Sequence, residues 1–573
     1  MKDKKIYIIL IISILLTLVG VSLAYFSLKV VGNENAKINK VVTGNLELTY
    51  TDTSEISLNN AIPGNTIEKV IKVTNTGTKE VSYNIGWTDY INEITNNELV
   101  IEGSCKNLNS SNTEEGTCNG FTTKTITGSN ILSNISIEPN ITHEYTLKIT
   151  FKETNKPQNY NKNKSFSGKI NITESTAKTV YCTFDGELTQ GAEYVNGQYT
   201  YRYMQDGKNV STGLAWKDIT TDGWGVQLTD KSSSDVVTSN LCTYINNKPI
   251  ISMSYMFDGS RATTIDLSNF NTSNVTDMLG MFSRTYATTL DLSSFNTSNV
   301  TDMGSMFSGS QATTLDLSSF DTSKVTRMSN MFGQSQVTTL DLRNFDTSSV
   351  TKMNNMFYIS EATTIDVSGF DTSNVTRMDY MFGDSQATTL DVSGFDTSNV
   401  TDMSCMFCSS PATTIDLSSF NTSNVTSMRA MFSNSKATTL DLSSFDTSKV
   451  TNMSSMFYNI KATTLDLSNF NTSNVTSMKA MFSNSKATTL DLSSFNTSNV
   501  TDMSGMFHST TDLKTIYASS KFNTDAVTSS TEMFYQCTSL VGGSGTKYSS
   551  SHVDKTYARI DGGTSSPGYF TAK

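Results

Sequence analysis

A motif of 25 residues recurs without insertion from residue 253 to residue 510, and this repeat constrains the fold more than any other feature. Phe recurs every 25 residues from Phe270 to Phe495, and a Met-Phe pair recurs in step from Met256-Phe257 onward. A fixed period of this length predicts a solenoid, in which each repeat is one supersecondary unit stacked on its neighbours. Because solenoids present long regular surfaces, the repeat favours a binding role over a catalytic one.

The composition narrows the class of protein. The chain has 573 residues, which is too long for one compact core, so several domains are expected. Apolar residues make up only 36%, yet they are strictly periodic, which argues for order. The net charge of −11 argues against nucleic acid as a partner, since binding to phosphates needs clustered Lys and Arg.

The N-terminus has the pattern of an export signal. Lys2, Lys4 and Lys5 precede an almost wholly apolar run over 6–23, and small residues favour cleavage after Ala24. The alternative is an uncleaved membrane anchor, because the run is nearly long enough to cross a bilayer. Either interpretation places the rest of the chain outside the cytoplasm, in an extracellular or cell-surface location.

The sequence divides into five segments by its patterning. Residues 25–175 hold no repeat, but they alternate apolar and polar residues between turn signals, which predicts an all-β sandwich. A solenoid needs terminal units that cover its exposed core. The predicted segments are a signal peptide or anchor over 1–24, the sandwich over 25–175, an N-terminal cap over 176–252, the repeats over 253–510, and an irregular last repeat with a C-terminal cap over 511–573.

One repeat predicts both a strand and a helical turn. In the repeat at 289–311, two leucines flank Asp291, so the leucines are expected to point inward and the carboxylate outward. The apolar residues of 300–307 are spaced as on one face of a short helix or 3-10 turn. The predicted fold class is therefore mixed, with a β-sandwich followed by a solenoid that has one parallel strand and one short helix or 3-10 turn per repeat.

The repeat also resembles a known family. The sequence Leu-Asp-Leu-Ser-Ser-Phe-Asn-Thr-Ser-Asn-Val-Thr-Asp-Met-Ser-Gly-Met-Phe at 490–507, with the flanking segments 224–230 and 558–570, closely resembles BspA-like leucine-rich-repeat surface proteins of bacteria. The resemblance covers about residues 176–573. It implies a surface or secreted protein, often tied to adhesion to host matrix proteins or to other bacteria. The family often carries Cys-Ser-x-Leu before the strand, whereas Ser-x-Ala-Thr-Thr recurs in this chain.

The first part of the chain resembles a different group. The signal segment through 23–27, together with 61–64 and 73–77, is similar to exported bacterial β-sandwich proteins of the TasA/camelysin-like group. The resemblance gives a second hypothesis for function. In it, the sandwich forms a homopolymer by strand exchange and displays the solenoid as a structural component of a biofilm matrix.

The aspartates of the repeated Leu-Asp-Leu sequence are the candidate binding residues. Ten of them are expected to stack in one outward column, and like charges at strand spacing repel one another. Two interpretations stay open: hydrogen bonds to neighbouring Thr and Ser hydroxyls with diffuse counter-ions, or a binding face for cationic groups or calcium. The column consists of Asp266, Asp291, Asp316, Asp341, Asp366, Asp391, Asp416, Asp441, Asp466 and Asp491.

Seven cysteines suit a few disulfides in an oxidising compartment. The candidate pairs are Cys105 with Cys118 and Cys182 with Cys242. Cys405 and Cys408 form a C-x-x-C sequence, but no second cysteine pair or histidine pair accompanies them, so zinc is not expected. Their positions hold small residues in other repeats, which favours a substitution without a role, and Cys537 is left over.

No catalytic constellation is present in the sequence. The three histidines lie in different regions, and nucleotide-binding fingerprints are missing. The sequence thus predicts a non-enzymatic, exported surface protein without a cofactor, whose solenoid binds extracellular or host proteins or glycans multivalently. The structural matrix protein is the alternative, and a calcium-dependent surface protein is a third hypothesis.

Overall fold

The computed structural model divides the chain into two compact units, Met1–Ser175 and Thr176–Lys573. The predicted export signal at 1–24 lies outside the described residues. Within the described ranges, no helix has both the length and the apolar character needed to cross a membrane. The structure describes residues 27–31, 39–41, 48–52, 56–59, 63–78, 81–94, 98–118, 120–126, 130–154, 161, 166–175, 179–205 and 222–573.

Twelve strands are described in the first unit, and they form two sheets. One sheet has the order β10-β6-β12-β1-β4 and the other the order β2-β3-β5-β11-β7-β8, with β9 paired to β7. The strands are β1 (Ser27–Val31), β2 (Asn39–Val41), β3 (Leu48–Asp52), β4 (Ile56–Asn59), β5 (Thr66–Asn75), β6 (Val81–Asn92), β7 (Leu99–Leu108), β8 (Glu114–Thr117), β9 (Phe121–Thr125), β10 (Asn130–Ile137), β11 (Thr142–Phe151) and β12 (Phe166–Glu174).

Alternation along the strands builds one core between the two sheets. Ile71 in β5 and Tyr145 and Leu147 in β11 are fully buried and come from the second sheet. From the first sheet, Trp87 in β6 meets Phe166 in β12 edge to face, with ring centroids 5.3 Å apart. Inward residues at every second position therefore fill a single hydrophobic interior, as expected for sheets with one buried face.

The second unit begins with a six-stranded sheet that precedes the repeats. Its order is β13-β17-β18-β16-β15-β14, and Trp224 in β16 is fully buried. Each repeat of 25 residues forms one turn of the solenoid, which we call a coil. The last strand in sequence, β18, ends at Ser252, which forms a parallel bridge with Asp277 in the next coil. The sheet thus passes directly into the stack of coils. Its strands are β13 (Tyr181–Cys182), β14 (Glu193–Asn196), β15 (Tyr199–Met204), β16 (Gly223–Leu228), β17 (Tyr244–Ile245) and β18 (Lys248–Ser252).

The coils that follow contain little regular strand. A ladder of single parallel bridges runs from Ser252 through Asp277 and Asp302, at intervals of 25 residues, until its last step to Ser529. Segments around the repeated Asp form regular strands in only part of the stack, where β19 (Thr339–Asp341) pairs with β20 (Thr364–Asp366). Near the C-terminus, β21 (Thr489–Leu492) pairs with β22 (Thr515–Ala518), which in turn pairs with β23 (Phe570–Ala572). Two 3-10 helices of three residues each, Lys555–Tyr557 and Gly563–Ser565, lie in the C-terminal segment.

The predicted mixed fold class, in which each repeat of a leucine-rich-repeat solenoid has one parallel strand and one short helix or 3-10 turn, is wrong. The described residues are nearly all β and include no α-helix. At the predicted helical turn, Ser305 and Gly309 have φ of 55° and 65°, in the left-handed region that ends a right-handed helix. The segment 303–309 is instead a pair of successive tight turns.

The hydrogen bonds of this segment explain why it is not helical. The Met306 N–H donates to the Met303 carbonyl within the coil, at 3.2 Å. By contrast, the Ser305 N–H donates to the carbonyl of Ser329 in the next coil, at 2.8 Å. Alternate N–H groups thus bond along the stack, whereas an α-helix would direct every N–H to its own chain four residues back. The turns still bring every third or fourth side chain inward, so they imitate the helical spacing.

The second left-handed position of each coil gives a prediction about stability. Ile359 occupies it with φ of 54°, whereas Asn434, Asn459 and Asn484 occupy it in later coils. Positive φ is unfavourable for a β-branched residue and tolerated by Asn. We expect Ile359→Asn to raise the free energy of unfolding by about 1 kcal/mol, measured by denaturant unfolding. The reciprocal change Asn459→Ile should lower it, and an unchanged or reduced stability of Ile359→Asn would contradict the argument.

A buried column of threonines ties neighbouring coils together. Each of these hydroxyls donates to a backbone carbonyl of the next coil, at 2.6–2.9 Å. For Thr397, the same hydroxyl also accepts from the N–H of Asn421, and both distances are 2.9 Å. The column consists of Thr272, Thr297, Thr322, Thr347, Thr372, Thr397, Thr422, Thr447, Thr472 and Thr497, which are at most 1% exposed.

Replacing Thr397 with valine tests the threonine column. Valine keeps the shape but leaves the N–H and carbonyl of Asn421 without the hydroxyl that satisfies both. We expect the free energy of unfolding to fall by about 2 kcal/mol, measured by denaturant unfolding. Thr389→Val is the matched control, because Thr389 is exposed and its substitution should change stability little. A loss in the free energy of unfolding that is no larger for Thr397→Val than the small change expected for Thr389→Val would show that the buried hydroxyl is dispensable.

Candidate binding faces of the repeat unit

The aspartate column is built from separate turns, one in each coil. Every aspartate of the column accepts a hydrogen bond from the backbone N–H two residues further on, at 3.0–3.3 Å. Asp291, for example, accepts from Ser293 in its own coil. The carboxylates therefore brace the turn that follows the Leu-Asp-Leu segment. Hydroxyls of the same coil add to this at Asp366 and Asp391, through Ser368 and Ser393.

These local hydrogen bonds outweigh repulsion along the column. Hydrogen bonds from Ser418 hold the pKa of Asp416 below its usual value, although the neighbouring Asp441 carboxylate acts in the opposite direction. Hydrogen bonds from Ser468 likewise lower the pKa of Asp466 against the repulsion of Asp491 and Asp441. The carboxylates at these positions are thus stabilised in their ionised form by the chain itself.

Cations of the chain also meet the column. The Arg343 guanidinium lies 2.7 Å from Asp341 and 3.3 Å from Asp366, and the Lys573 ammonium pairs with Asp491. In the described part of the chain, no three carboxylates of the column bring their ligand atoms within 4.8 Å of one another. Binding of calcium or of cationic groups to this column stays a prediction.

A second face of the coil differs strongly from repeat to repeat. We call it the turn face, defined by the exposed residues that run from the position after Thr in Thr-x-Met to the position before Ala-Thr-Thr (or Val-Thr-Thr), as within 377–386. The position after Thr is Asp277, Asp302, Arg327, Lys352 and Arg377 in successive coils. The Leu-Asp-Leu segment and the Phe, Thr and Val that follow it hardly change. Variation between repeats is therefore concentrated on this one face.

Aromatic and arginine side chains cluster at the middle of the turn face. The rings of Tyr358 and Tyr380 meet edge to face with centroids 5.4 Å apart. Arg429 donates to the Tyr380 hydroxyl at 3.4 Å, while Arg377 lies 2.9 Å from Asp379. Burial and then the Asp384 carboxylate raise the pKa of Tyr358. Tyr and Arg of this kind are enriched among residues that dominate binding energy at protein interfaces.

The same region holds a disulfide that sequence reasoning missed. Cys405 and Cys408 are joined, with their Cα atoms 4.7 Å apart, across one turn of the turn face. From the sequence, this pair is expected to have no role, and the C-x-x-C spacing is the signal that could have revealed the disulfide. Two further disulfides join Cys105 to Cys118 and Cys182 to Cys242, and Cys537 is buried and free.

In the first unit, a buried histidine lies beside a disulfide. One ring nitrogen of His143 and the sulfurs of Cys105 and Cys118 lie within 4.8 Å of one another. The Tyr83 hydroxyl is 2.8 Å from His143 Nδ1, and burial lowers the pKa of His143 to about 4. The imidazole is therefore neutral at physiological pH. Because both sulfurs are in a disulfide, they offer no thiolate to a metal.

A cavity of about 450 Å³ lies in the sheet that precedes the repeats. Its lining is uncharged and includes Asn196, Gln198, Asn240 and Asn269 beside the disulfide at Cys242. Gln198 already bonds both Val236 and Thr238, and Asn269 donates to Ser239. Much of the polar lining thus holds loops of this sheet together.

The stacked coils and their variable turn face define a repeat protein with a non-helical β-solenoid. Its sequence matches the family model DUF285, described as a Mycoplasma protein of unknown function, at residues 233–340, 334–445 and 431–548. The chain belongs to this family, since the three matches together span more than half of it. No curated protein and no solved structure matches. The matches do not reach residues 1–232, so the resemblance of the first unit to the TasA/camelysin-like group stays a prediction.

Proposed function

We propose that this chain is an exported, non-enzymatic binding protein of the cell surface, which contacts extracellular or host proteins or glycans through its turn face. The observation that carries the proposal is the concentration of sequence variation on that face. A position whose side chain only packs against neighbouring coils can hold the same residue in every coil, as in the buried Phe and Thr columns. A face that has to match a partner differs from coil to coil, because the partner's surface differs along its length.

The aspartate column supports this choice of face by contrast. It is the same residue in all ten coils, and each carboxylate accepts a backbone hydrogen bond in its own turn. Its uniformity is thus accounted for by the structure of the coil. The Tyr358 and Tyr380 pair has no such repeat, and nothing in the folding of the other coils requires it.

The sequence and the disulfides support export. Three disulfides are present, and such bonds persist in oxidising compartments outside the cytoplasm. The basic and apolar residues of 1–24 fit a secretion signal or an anchor. N-terminal sequencing of the mature protein distinguishes the two, since cleavage after Ala24 leaves Tyr25 as the first residue.

The proposal is tested with the full chain on a panel of matrix glycoproteins, mucins and bacterial surfaces. The variant Tyr358→Ser with Tyr380→Asn uses residues that occur at the same coil positions, as at Ser308 and Asn330. We expect saturable binding by the native chain and a loss of about tenfold or more in the variant. The control variant Thr414→Ser with Thr439→Ser changes two exposed residues of the constant strand face and should bind as the native chain does.

Two results would contradict the proposal. One is binding that the tyrosine substitutions leave unchanged while the control variant weakens it, which would assign recognition to the strand face. The other is the lack of binding to any panel member together with fibres that form as the concentration rises. That result would favour the structural alternative, a matrix protein that polymerises through its first unit.

A further inference from the structure

The charge of the repeat region reverses toward its C-terminal coils. The chain as a whole has a net charge of −11, yet residues 428–487 carry twice as many cationic as anionic side chains. Charge of one sign gathered on one surface acts on partners even where the whole molecule has the opposite sign. The cations are Arg429, Lys436, Lys449, Lys461, Lys479 and Lys486, and the anions are Asp441, Asp446 and Asp466.

Three of these lysines form a column on the turn face. The position just before Ala-Thr-Thr holds Lys436, Lys461 and Lys486 in consecutive coils. In the six coils before them this position is neutral or acidic, and the first coil carries the single cation Arg261 there. The backbone N–H of Lys436 donates to the carbonyl of Ser410 in the preceding coil, at 2.9 Å. Such coil-to-coil bonds set neighbouring members of a column at about the spacing of adjacent strands, ~4.8 Å. All three side chains are exposed.

The lysine column is not neutralised along its length. Among the described residues, Lys436 and Lys461 form no ion pair, and Lys486 meets Asp512 at 3.2 Å only where the column ends. Arg429 and Lys479 lie at the other end of the same turns and are also exposed. Like charges in adjacent coils repel one another, so an anion placed along the column relieves this repulsion.

Amide side chains accompany the lysines. Asn434, Asn459 and Asn484 each stand two residues before a lysine of the column. Asn459 Nδ2 donates to Asn434 Oδ1 at 2.9 Å, and Asn484 Nδ2 donates to the Tyr458 hydroxyl at 3.3 Å, so each of these two amides bonds to the preceding coil. Amides both donate and accept hydrogen bonds, as the recognition of hydroxyl groups requires, while lysine supplies mobile point charges.

We propose that the turn face of coils 428–487 binds an acidic polysaccharide along the column Lys436, Lys461 and Lys486. This inference rests on the proposed function, because it uses the same face, and it adds the chemical class of the ligand. A linear polymer with regularly repeated carboxylates and many hydroxyls matches a ladder of one ammonium and one amide per coil. Single-stranded nucleic acid is a poorer match, since its binding sites stack bases on successive aromatic side chains and this column has none.

The test measures binding of the full chain to alginate and hyaluronate, with dextran as the uncharged polymer. In the variant Lys436→Gln, Lys461→Gln and Lys486→Gln, each lysine becomes the residue that this column already holds at Gln311, Gln336 and Gln386. The fold is therefore expected to persist. We expect binding to the acidic polymers only, a loss on the order of tenfold to a hundredfold in the variant, and a weaker dependence on salt.

Two further variants sharpen the result. Lys324→Gln with Lys352→Gln removes two lysines from the acidic coils and should leave binding unchanged. The reverse graft, Gln311→Lys, Gln336→Lys and Gln386→Lys, lengthens the basic column and should strengthen binding. A triple glutamine variant that binds alginate like the native chain would overturn the inference, as would competition by single-stranded DNA at lower concentration than alginate.

Failure of this inference is distinguishable from failure of the proposed function. A chain that binds panel proteins through Tyr358 and Tyr380 but ignores both acidic polymers contradicts only the polysaccharide site. A chain that binds no member of either set contradicts both.

Discussion

Replacing Phe382 with alanine is expected to lower the free energy of unfolding of the second unit by about 3 to 5 kcal/mol. Phe382 is fully buried and stacks between Phe357 and Phe407, with ring centroids 5.3 Å and 5.9 Å away. Truncation removes the buried ring and leaves a cavity between two coils whose spacing is set by backbone hydrogen bonds. The cavity therefore cannot collapse without breaking those bonds. For this reason we expect the loss in the free energy of unfolding to lie toward the upper end of this range.

Denaturant unfolding, followed by the near-ultraviolet signal of the aromatic residues, measures the effect. The control Phe382→Leu keeps most of the buried volume and should cost about 1 kcal/mol. In a solenoid, each coil contacts only its neighbours, so hydrogen exchange should show the loss of protection centred on 357–407. A loss below about 1 kcal/mol for Phe382→Ala would contradict the role of the Phe stack, since even a partly collapsed cavity costs more than that.

Replacing Asp561 with asparagine should destabilise the C-terminal cap by about 3 kcal/mol. The side chain is only 6% exposed, and its two oxygens accept four hydrogen bonds. The Thr546 hydroxyl and the Gly563 N–H donate to Oδ1 at 2.7 and 2.9 Å, and the N–H groups of Ser544 and Thr546 donate to Oδ2 at 2.8 and 3.0 Å. Asparagine replaces one of these acceptors with a donor that faces two other donors.

The same site predicts a pH dependence. Burial by itself raises the pKa of Asp561, but the hydrogen bonds from Thr546, Gly563 and Ser544 outweigh it and hold the pKa at about 2. Because this value lies below that of an unfolded aspartate, the stabilisation is fully present above about pH 4 and is lost as the pH falls toward 2. The stability difference between the native chain and Asp561→Asn should shrink across that window. Asp525→Asn, at an exposed position, is the control, and a difference that does not change with pH would contradict the assignment.

The sequence alone identified the repeat and most of its core. The period placed Met, Phe, Val and Leu inward, and these residues are buried in coil after coil, from Met253 to Phe507. This succeeded because a strict period forces every copy into the same environment, so one interpretation of the pattern applies to all. The candidate binding face was harder to predict from the sequence. The aspartate column attracted attention because it is uniform, whereas the turn face differs between repeats and gives no periodic signal.

The choice between helix and turn shows where periodicity is insufficient. Val300, Met303, Met306 and Phe307 have the spacing of one helical face, and two successive turns present the same spacing. Local propensity did not decide between them, because the left-handed positions hold residues as different as Ser305, Tyr380 and Ile359. The decision came from the neighbouring coils, whose carbonyls accept the alternate N–H groups that a helix would have retained.

The amino-acid sequence by itself determined that this chain stacks units of 25 residues around a column of aromatic and aliphatic side chains, because burial depends on the period alone. Only the tertiary structure decided how each unit bends, which hydroxyls lie inside, and which face is free to vary. The buried hydroxyl of Thr397 illustrates the difference, since its partners are backbone atoms of the next coil. Hydrogen bonds between coils leave no mark in the sequence of one coil, so they appear only when the units are stacked.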